Sequence, residues 1–161
     1  MKQEEYNIRP PLSASEWSVI PGMLLDYRNE FDDETCFTSF EEEMADIRNV
    51  YTAPGSHLLL AVENSNNKIV GCVGMRTLSH GIAEMKRLYV IPTHRGFQLG
   101  KKLATEIMAY AEEKKYDRML LDTMYEMRAA QKLYEQLGFT IIEPYNDQDT
   151  SKVVCFQKIF I

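Results

Sequence analysis

Three strand-like runs that follow one another closely limit the fold of this chain more than any other feature. They are His57–Glu63, residues 69–76 and Ile82–Val90, all rich in apolar and β-branched residues. Turn-forming residues separate them at positions 64–67 and 79–81, which leaves no room for the crossover that parallel neighbours need. The three runs are therefore predicted to form an antiparallel meander.

The rest of the chain alternates helical and strand-like patterns. Apolar residues three or four positions apart indicate helices, and short apolar runs between turn residues indicate strands. The predicted helices lie at residues 17–31, after Ser39, at about residues 99–115 and from Met127 to Leu137, and the further strands at Tyr6–Arg9, residues 119–123, Thr140–Ile142 and residues 153–160. These elements predict an α/β fold with a mixed sheet and about four helices.

The start of the second helix carries a capping-box pattern. Ser39 and Glu42 have the spacing at which a serine and a following glutamate satisfy backbone N–H groups at a helix N-terminus. The glutamates at positions 41–43 are expected to face water.

Length and composition predict one domain over residues 1–161. The chain is 45% hydrophobic and 26% charged, and neither a linker nor an internal repeat divides it. The net charge of −6 argues against a nucleic-acid partner, because such binding requires clustered lysine and arginine.

Cysteine number and the N-terminus both indicate the cytoplasm. Cys36, Cys72 and Cys155 are odd in number, and no two have CxxC spacing, which fits a reducing compartment. The first ten residues lack the apolar core of a signal peptide, and no apolar run is long enough to cross a bilayer. No membrane partner is expected, and a homodimer is left open.

Two glycines lie where a helix should begin, directly after a strand and a turn. Gly96 and Gly100 fall in a basic stretch, residues 95–102, and a second basic pair is Lys86 and Arg87. A helix N-terminus offers unpaired N–H groups to an anion, and glycine allows a phosphate to approach the backbone. The segment is therefore either a seat for a small anionic ligand or a glycine-containing loop with solvated charges.

The same segment resembles a motif of the GNAT superfamily of N-acetyltransferases, Arg/Gln-x-x-Gly-x-Gly/Ala. Arg95 and Gly100 match its ends, and Gln98 replaces its middle glycine. Residues 130–139 (AQKLYEQLGF) resemble the family's Ala-x-x-Leu-Tyr-x-x-x-Gly-Phe pattern, whereas Met127 replaces a common asparagine. The resemblance covers about residues 56–160. Residues 83–90 and 121–123, with Cys36-Phe37, resemble a bacterial branch of undefined acceptor.

The resemblance implies that acetyl-CoA is the cosubstrate and that its arm enters a gap where residues 85–90 splay from residues 119–123. Strand backbone would then pair with the pantetheine amides, and the glycine segment would bind the pyrophosphate. The implied cofactor-binding residues are Leu88, Tyr89, Val90, Arg95, Gly96, Phe97, Gln98, Leu99, Gly100 and Lys101.

Two residues are candidates for proton transfer. Tyr134 matches the family position that protonates the departing CoA thiolate, and the alternative is a plain core tyrosine. Glu84 is the best-placed carboxylate to accept a proton from the amine, directly or through water, and the alternative is a solvent-facing strand glutamate.

The function predicted from the sequence is N-acetyl transfer from acetyl-CoA to a small-molecule or peptide amine by direct attack in a ternary complex. A non-catalytic acyl-CoA sensor is the alternative. Acidic residues at 32–34 and 41–43 fit a cationic acceptor or a solvated surface equally well. Cys72 and Cys155 have no adjacent histidine, so an acyl-cysteine is not expected, and histidine spacing predicts no catalytic metal.

Overall fold

The computed structural model describes residues 5–31, 37 and 39–160. Over these residues the backbone forms one sheet in the order β1-β2-β3-β4-β5-β7-β6. The strands are β1 (Tyr6–Arg9), β2 (His57–Glu63), β3 (Lys68–Ser79), β4 (Ile82–Val90), β5 (Arg118–Met124), β6 (Thr140–Ile142) and β7 (Val153–Ile159). All neighbours are antiparallel except β4 and β5, which confirms both the meander and the mixed, mostly antiparallel sheet.

Helices cover both faces of the sheet. Those in the described part of the chain are α1 (Ala14–Arg28), α2 (Phe40–Ala45), α3 (Ile47–Thr52), α4 (Leu99–Glu113) and α5 (Arg128–Gln136). One core packs the apolar stripe of α4 and Tyr134 of α5 against the sheet. The other packs α1, α2 and α3 against the opposite face. Each layer buries the apolar side of its helices.

The parallel pair β4–β5 separates along its length. Paired residues are Ile82 with Arg118, Ala83 with Met119 and Glu84 with Leu120, and pairing stops there although both strands continue. The sheet is therefore splayed at its centre, as the resemblance implied, with the open end toward Val90 and Met124.

Helix boundaries in the first third of the chain differ from those expected. α1 begins before Trp17, because the Ser13 side chain accepts the Glu16 N–H, and the helix continues through Pro21. The predicted capping box at Ser39 is wrong. Ser39 lies in the left-handed region at φ 59° and makes no side-chain cap bond. Asp46 then breaks the segment into α2 and α3, so the described residues form five α-helices where about four were expected.

No helix in the described ranges has the length and apolar character needed to cross a membrane.

Candidate functional site

The separation of β4 and β5 opens a cavity of about 80 Å³ in the middle of the sheet. Both strands, the start of α5 and two aromatic side chains from the α1–α2 side form its walls. The lining residues are Tyr27, Phe37, residues 85–88, residues 121–123, Met127, Ala130 and Tyr134. The cavity wall thus combines polar residues of both strands with apolar and aromatic residues.

A second hollow, of about 280 Å³, lies at the start of α4. Its walls include residues 88–90 of β4, residues 94–96 and 98 of the following loop, and Leu99 and Gly100 of α4. Leu88 and Ala130 line both spaces, so the two adjoin. Together they form a cleft that runs from the gap between the strands to a helix N-terminus.

The α4 N-terminus presents backbone donors to this cleft. The first intrahelical bond runs from the Lys102 N–H to the Gln98 carbonyl at 3.1 Å, so the N–H groups of residues 99–101 precede the helical ladder. Gly96 and Gln98 have positive φ values of 92° and 60°, which turn the chain into the helix. A Cβ on Gly100 would meet only Leu133, at 3.7 Å. The segment has the open backbone and unpaired donors that suit a pyrophosphate.

The Arg95 side chain points back to the protein. Its Nε donates to the Val90 carbonyl at 2.9 Å, and its terminal nitrogen donates to both Glu30 carboxylate oxygens at 2.9 and 3.0 Å. Tyr89 also donates to Glu30, at 2.6 Å. The charge of Arg95 is therefore already paired, and phosphate recognition here would rely on the backbone and on Lys101.

Arg87, half of the other basic pair, is likewise not an available anion ligand. It is buried and forms two hydrogen bonds of 3.0 Å to Glu43. The expectation that residues 41–43 all face water is wrong for Glu43, which is also buried. Its partner lies 44 positions along the chain, so no local pattern marks the pair.

Tyr134 lies in the core and also at the cavity wall. The centre of its ring lies 5.8 Å from the ring centre of Phe139 and 5.9 Å from that of Phe156, within the core on the α4 side of the sheet. It also forms part of the cavity wall beside Ala130. Core packing thus fixes the ring at the edge of the gap.

Glu84 lies at the closed end of the splay, where strand pairing stops. Its side chain is only 14% exposed, so the solvent-facing alternative does not hold. The Tyr145 hydroxyl donates to one carboxylate oxygen at 2.7 Å, and Lys86 Nζ lies 4.0 Å from the other. Met85 and Lys86 line the cavity and Glu84 does not. The Glu84 carboxylate therefore lies beside the cavity, next to the wall residue Met85.

The sequence did not mark three polar residues of this region as candidates for the site: Asp122, Tyr145 and Asn146. Asp122 of β5 lines the cavity and accepts from the Asn146 side chain at 2.7 Å. Burial, followed by the negative charges of Glu84 and Asp122, raises the pKa of Tyr145 far above its usual value. The sequence signal was a lone aspartate in an apolar strand, together with a polar loop after Pro144.

The described cysteines are held as thiols. Burial raises the pKa of Cys72 to about 12, and its Sγ donates to the Arg87 carbonyl at 3.3 Å. Burial also raises the pKa of Cys155. Cys36 and the acidic residues 32–34 lie outside the described residues. Within the described ranges, no three His, Cys, Asp or Glu residues form a group that could hold a metal ion.

A family model for the acetyltransferase (GNAT) family matches residues 23–139, which span the cleft and both its strands. The chain belongs to the GNAT acetyltransferase family. An uncharacterized N-acetyltransferase of Schizosaccharomyces pombe is 35% identical over 133 residues, which cover 82% of this chain and 81% of that protein. The match to a yeast protein shows that similar GNAT chains are not confined to bacteria.

Solved structures share the fold at lower identity. A GNAT acetyltransferase of Staphylococcus aureus superposes with a TM-score of 0.80 at 21% identity, over 97% of this chain and 99% of that one. The PaiA N-acetyltransferase of Thermoplasma acidophilum, solved in complex with coenzyme A, has a TM-score of 0.71 at 19% identity, over 96% and 98%. The fold of this GNAT protein is therefore a known architecture.

Proposed function

We propose that this GNAT protein transfers the acetyl group of acetyl-CoA to a primary amine by direct attack in a ternary complex. The observation that carries the proposal is the pair of neighbouring hollows, one at the gap between β4 and β5 and the other at a glycine-containing helix N-terminus. An extended donor with phosphates at one end and a thioester at the other fits this arrangement. Membership of the family supports the same activity.

The backbone of residues 96–101 would bind the pyrophosphate of the donor. The N-terminal end of α4 carries positive dipole and donors without intrahelical acceptors. The β4 segment from Leu88 to Val90 would pair with the pantetheine arm in the manner of an added strand. The Ile91 N–H donates to the Val70 carbonyl of β3, and in this register the Tyr89 peptide groups also face β3. The groups that face the gap are those of Leu88 and Val90, and the Val90 carbonyl already accepts from Arg95, so Leu88 has the larger part in this pairing.

The thioester supplies the acyl group, and the protein handles the protons. An alkylammonium has a pKa of about 10, so the acceptor must lose a proton before its nitrogen can attack the carbonyl carbon. Glu84 would take that proton through a water, because it lies beside the cavity and not in its wall. The nitrogen then forms a bond to the carbonyl carbon, and the C–S bond breaks as the Tyr134 hydroxyl donates a proton to the departing sulfur. The second proton of the nitrogen passes through water to the tyrosinate, which restores the Tyr134 hydroxyl.

Direct attack is preferred to transfer through an acyl-cysteine. Cys72 is fully buried with a raised pKa, and the pKa of Cys155 is raised as well, so little thiolate forms on either at neutral pH. A nucleophile of that kind needs a lowered pKa or an adjacent base.

Release of CoA from acetyl-CoA tests the proposal against a sensor that binds acyl-CoA without turnover. The assay compares no amine with separate panels of polyamines, amino acids, aminoglycosides and peptides, and mass spectrometry identifies the acetylated product. Amine-dependent release with one acetyl group transferred per CoA supports the enzyme. Tight acetyl-CoA binding with no amine-dependent release across the panels supports the sensor.

A further inference from the structure

The strand that faces the cleft contains a bulge at Arg87. Gly74 of β3 pairs with Lys86, and Cys72 pairs with Tyr89, so one residue of β3 stands opposite two residues of β4. Arg87 has a φ of 60°, in the left-handed region that residues with a side chain rarely adopt. A β-bulge of this kind redirects the side chains and peptide groups that follow it.

The change of direction is visible in the packing on either side of Arg87. Before the bulge, Met85 belongs to the core under α4; after it, Leu88 and Val90 pack on that same core. Tyr89 packs into the opposite core, under α1. Regular alternation from Met85 would place Tyr89 on the α4 side. The conformation at Arg87 therefore decides which way the residues that line the cleft are turned.

A buried ion pair holds Arg87 in this conformation. Its Nε and a terminal nitrogen each donate to Glu43 of α2 at 3.0 Å, and the Tyr51 hydroxyl donates to the same carboxylate at 2.8 Å. The guanidinium also lies 5.4 Å from the Phe40 ring centre. The side chains of Arg87 and Glu43 are only 4% and 6% exposed.

The charged form of this pair is well supported despite its burial. Burial acts to raise the pKa of Glu43, but the hydrogen bonds and charge of Arg87 outweigh it, so that this pKa lies below its usual value. Removal of one partner would leave the other as an unpaired buried charge, which is strongly unfavourable. A left-handed arginine persists only where its surroundings enforce it.

We propose that Glu43 is a positioning residue for the acyl donor, which acts through Arg87 to fix the β4 bulge and hence the peptide groups of Leu88 and Val90 that face the gap. The inference rests on the proposed binding of acetyl-CoA in the cleft. It assigns to α2, a helix with no residue in the described cavity wall, control over how the pantetheine arm and thioester are held.

The test compares Glu43→Gln with Glu42→Gln, its exposed neighbour on the same helix. Two ligands are titrated: CoA, and adenosine 3′,5′-bisphosphate, which lacks the pantetheine arm. Glu43→Gln should weaken CoA binding by about tenfold or more and leave bisphosphate binding within about twofold, because only the arm contacts β4. Glu42→Gln should bind both ligands as the native protein does.

Circular dichroism and thermal unfolding of each variant separate positioning from loss of fold. If Glu43→Gln does not fold, Tyr51→Phe provides the second variant, since it removes one hydrogen bond to Glu43 and retains the ion pair. It should shift CoA affinity in the same direction by a smaller factor, about threefold, with bisphosphate binding unchanged. Native CoA affinity in folded Glu43→Gln, or in Tyr51→Phe where the first variant fails to fold, would overturn the proposal.

These titrations do not depend on turnover. If the native protein binds CoA but releases none from acetyl-CoA, the proposed function is wrong. The CoA and bisphosphate titrations still measure the role of Glu43 in that case. A folded Glu43→Gln variant that loses both ligands equally also overturns the positioning role, because the effect would then not be specific to the arm.

Discussion

Tyr134 is fixed by core packing and lies at the wall of the cleft, so its hydroxyl can be removed with little effect on the fold. Tyr134→Phe keeps the ring contacts with Phe139 and Phe156. If the hydroxyl protonates the leaving thiolate, kcat should fall by about 10²-fold or more while CoA affinity stays near native. Steady-state kinetics and direct CoA titration provide the two measurements.

A near-native kcat for Tyr134→Phe, with an acceptor whose chemical step limits the rate, would show that the tyrosine is only a packing residue. Thermal unfolding is the control, since the variant should melt within a few degrees of the native protein.

Glu84→Gln should lower turnover most near neutral pH. The substitution keeps the shape of the side chain and removes its capacity to accept a proton. As pH rises toward the amine pKa of about 10, more acceptor is already deprotonated and the base matters less, so the ratio of native to variant rate should shrink. The measurement is kcat/KM for the amine against pH. Glu113→Gln, an exposed site on α4, is the matched control.

Parallel pH profiles for native protein and Glu84→Gln would remove Glu84 as the base. Its contacts with Tyr145 and Lys86 would then serve to position the acceptor or the strand.

Sequence patterns find single residues only where a local motif marks them. A helix-and-turn motif singled out Tyr134, and its place at a helix start singled out Gly100, and both residues lie at the wall of the cleft. Glu43 was expected to face water because its acidic run gives no sign of Arg87, which reaches it only after the sheet has formed. Asp122 and Tyr145 were missed for the same reason: their hydrogen bonds to Asn146 and Glu84 depend on how a loop folds back over the sheet.

At the scale of elements, the α4 N-terminus makes the sharpest prediction. Gly100→Val places branched carbons where the donor's phosphates should approach, whereas the added Cβ meets only an ordinary contact with Leu133. CoA affinity should fall by at least about tenfold, or about 1.4 kcal/mol, with the fold retained. Isothermal titration with CoA measures the affinity.

The matched control for Gly100→Val is Gly22→Val. Gly22 also lies inside a helix, α1, and a Cβ there meets no atom within 4 Å. This variant should bind CoA normally. Equal CoA affinity of native protein and folded Gly100→Val would remove the pyrophosphate from the α4 N-terminus.

Strands were predicted more accurately than helices. β2 and β4 have the expected bounds because turn residues limit them at both ends. α1 extends through Pro21, because the Ser13 cap and the burial of Ile20 and Leu24 outweigh the proline's preference for a helix start. The predicted cap at Ser39 is wrong because its backbone is left-handed, whereas a capping serine has an extended backbone.

At the scale of the whole molecule, the antiparallel meander follows from physical rules, but the splay does not. Short turns require the meander, and the long connection through α4 allows β5 to be parallel to β4. Nothing in the alternation of β4 and β5 shows that pairing stops at Glu84, so the gap was expected only from resemblance to the family. The cleft, and with it the proposed activity, depends on that break in pairing.

The most direct test of this account is the initial rate of CoA release when acetyl-CoA and an active amine are varied together. Direct attack in a ternary complex predicts amine-dependent release, one acetylated amine for each CoA, and double-reciprocal plots that intersect. Parallel lines would contradict the account by indicating an acyl-enzyme, and release that does not depend on any amine would contradict N-acetyl transfer itself.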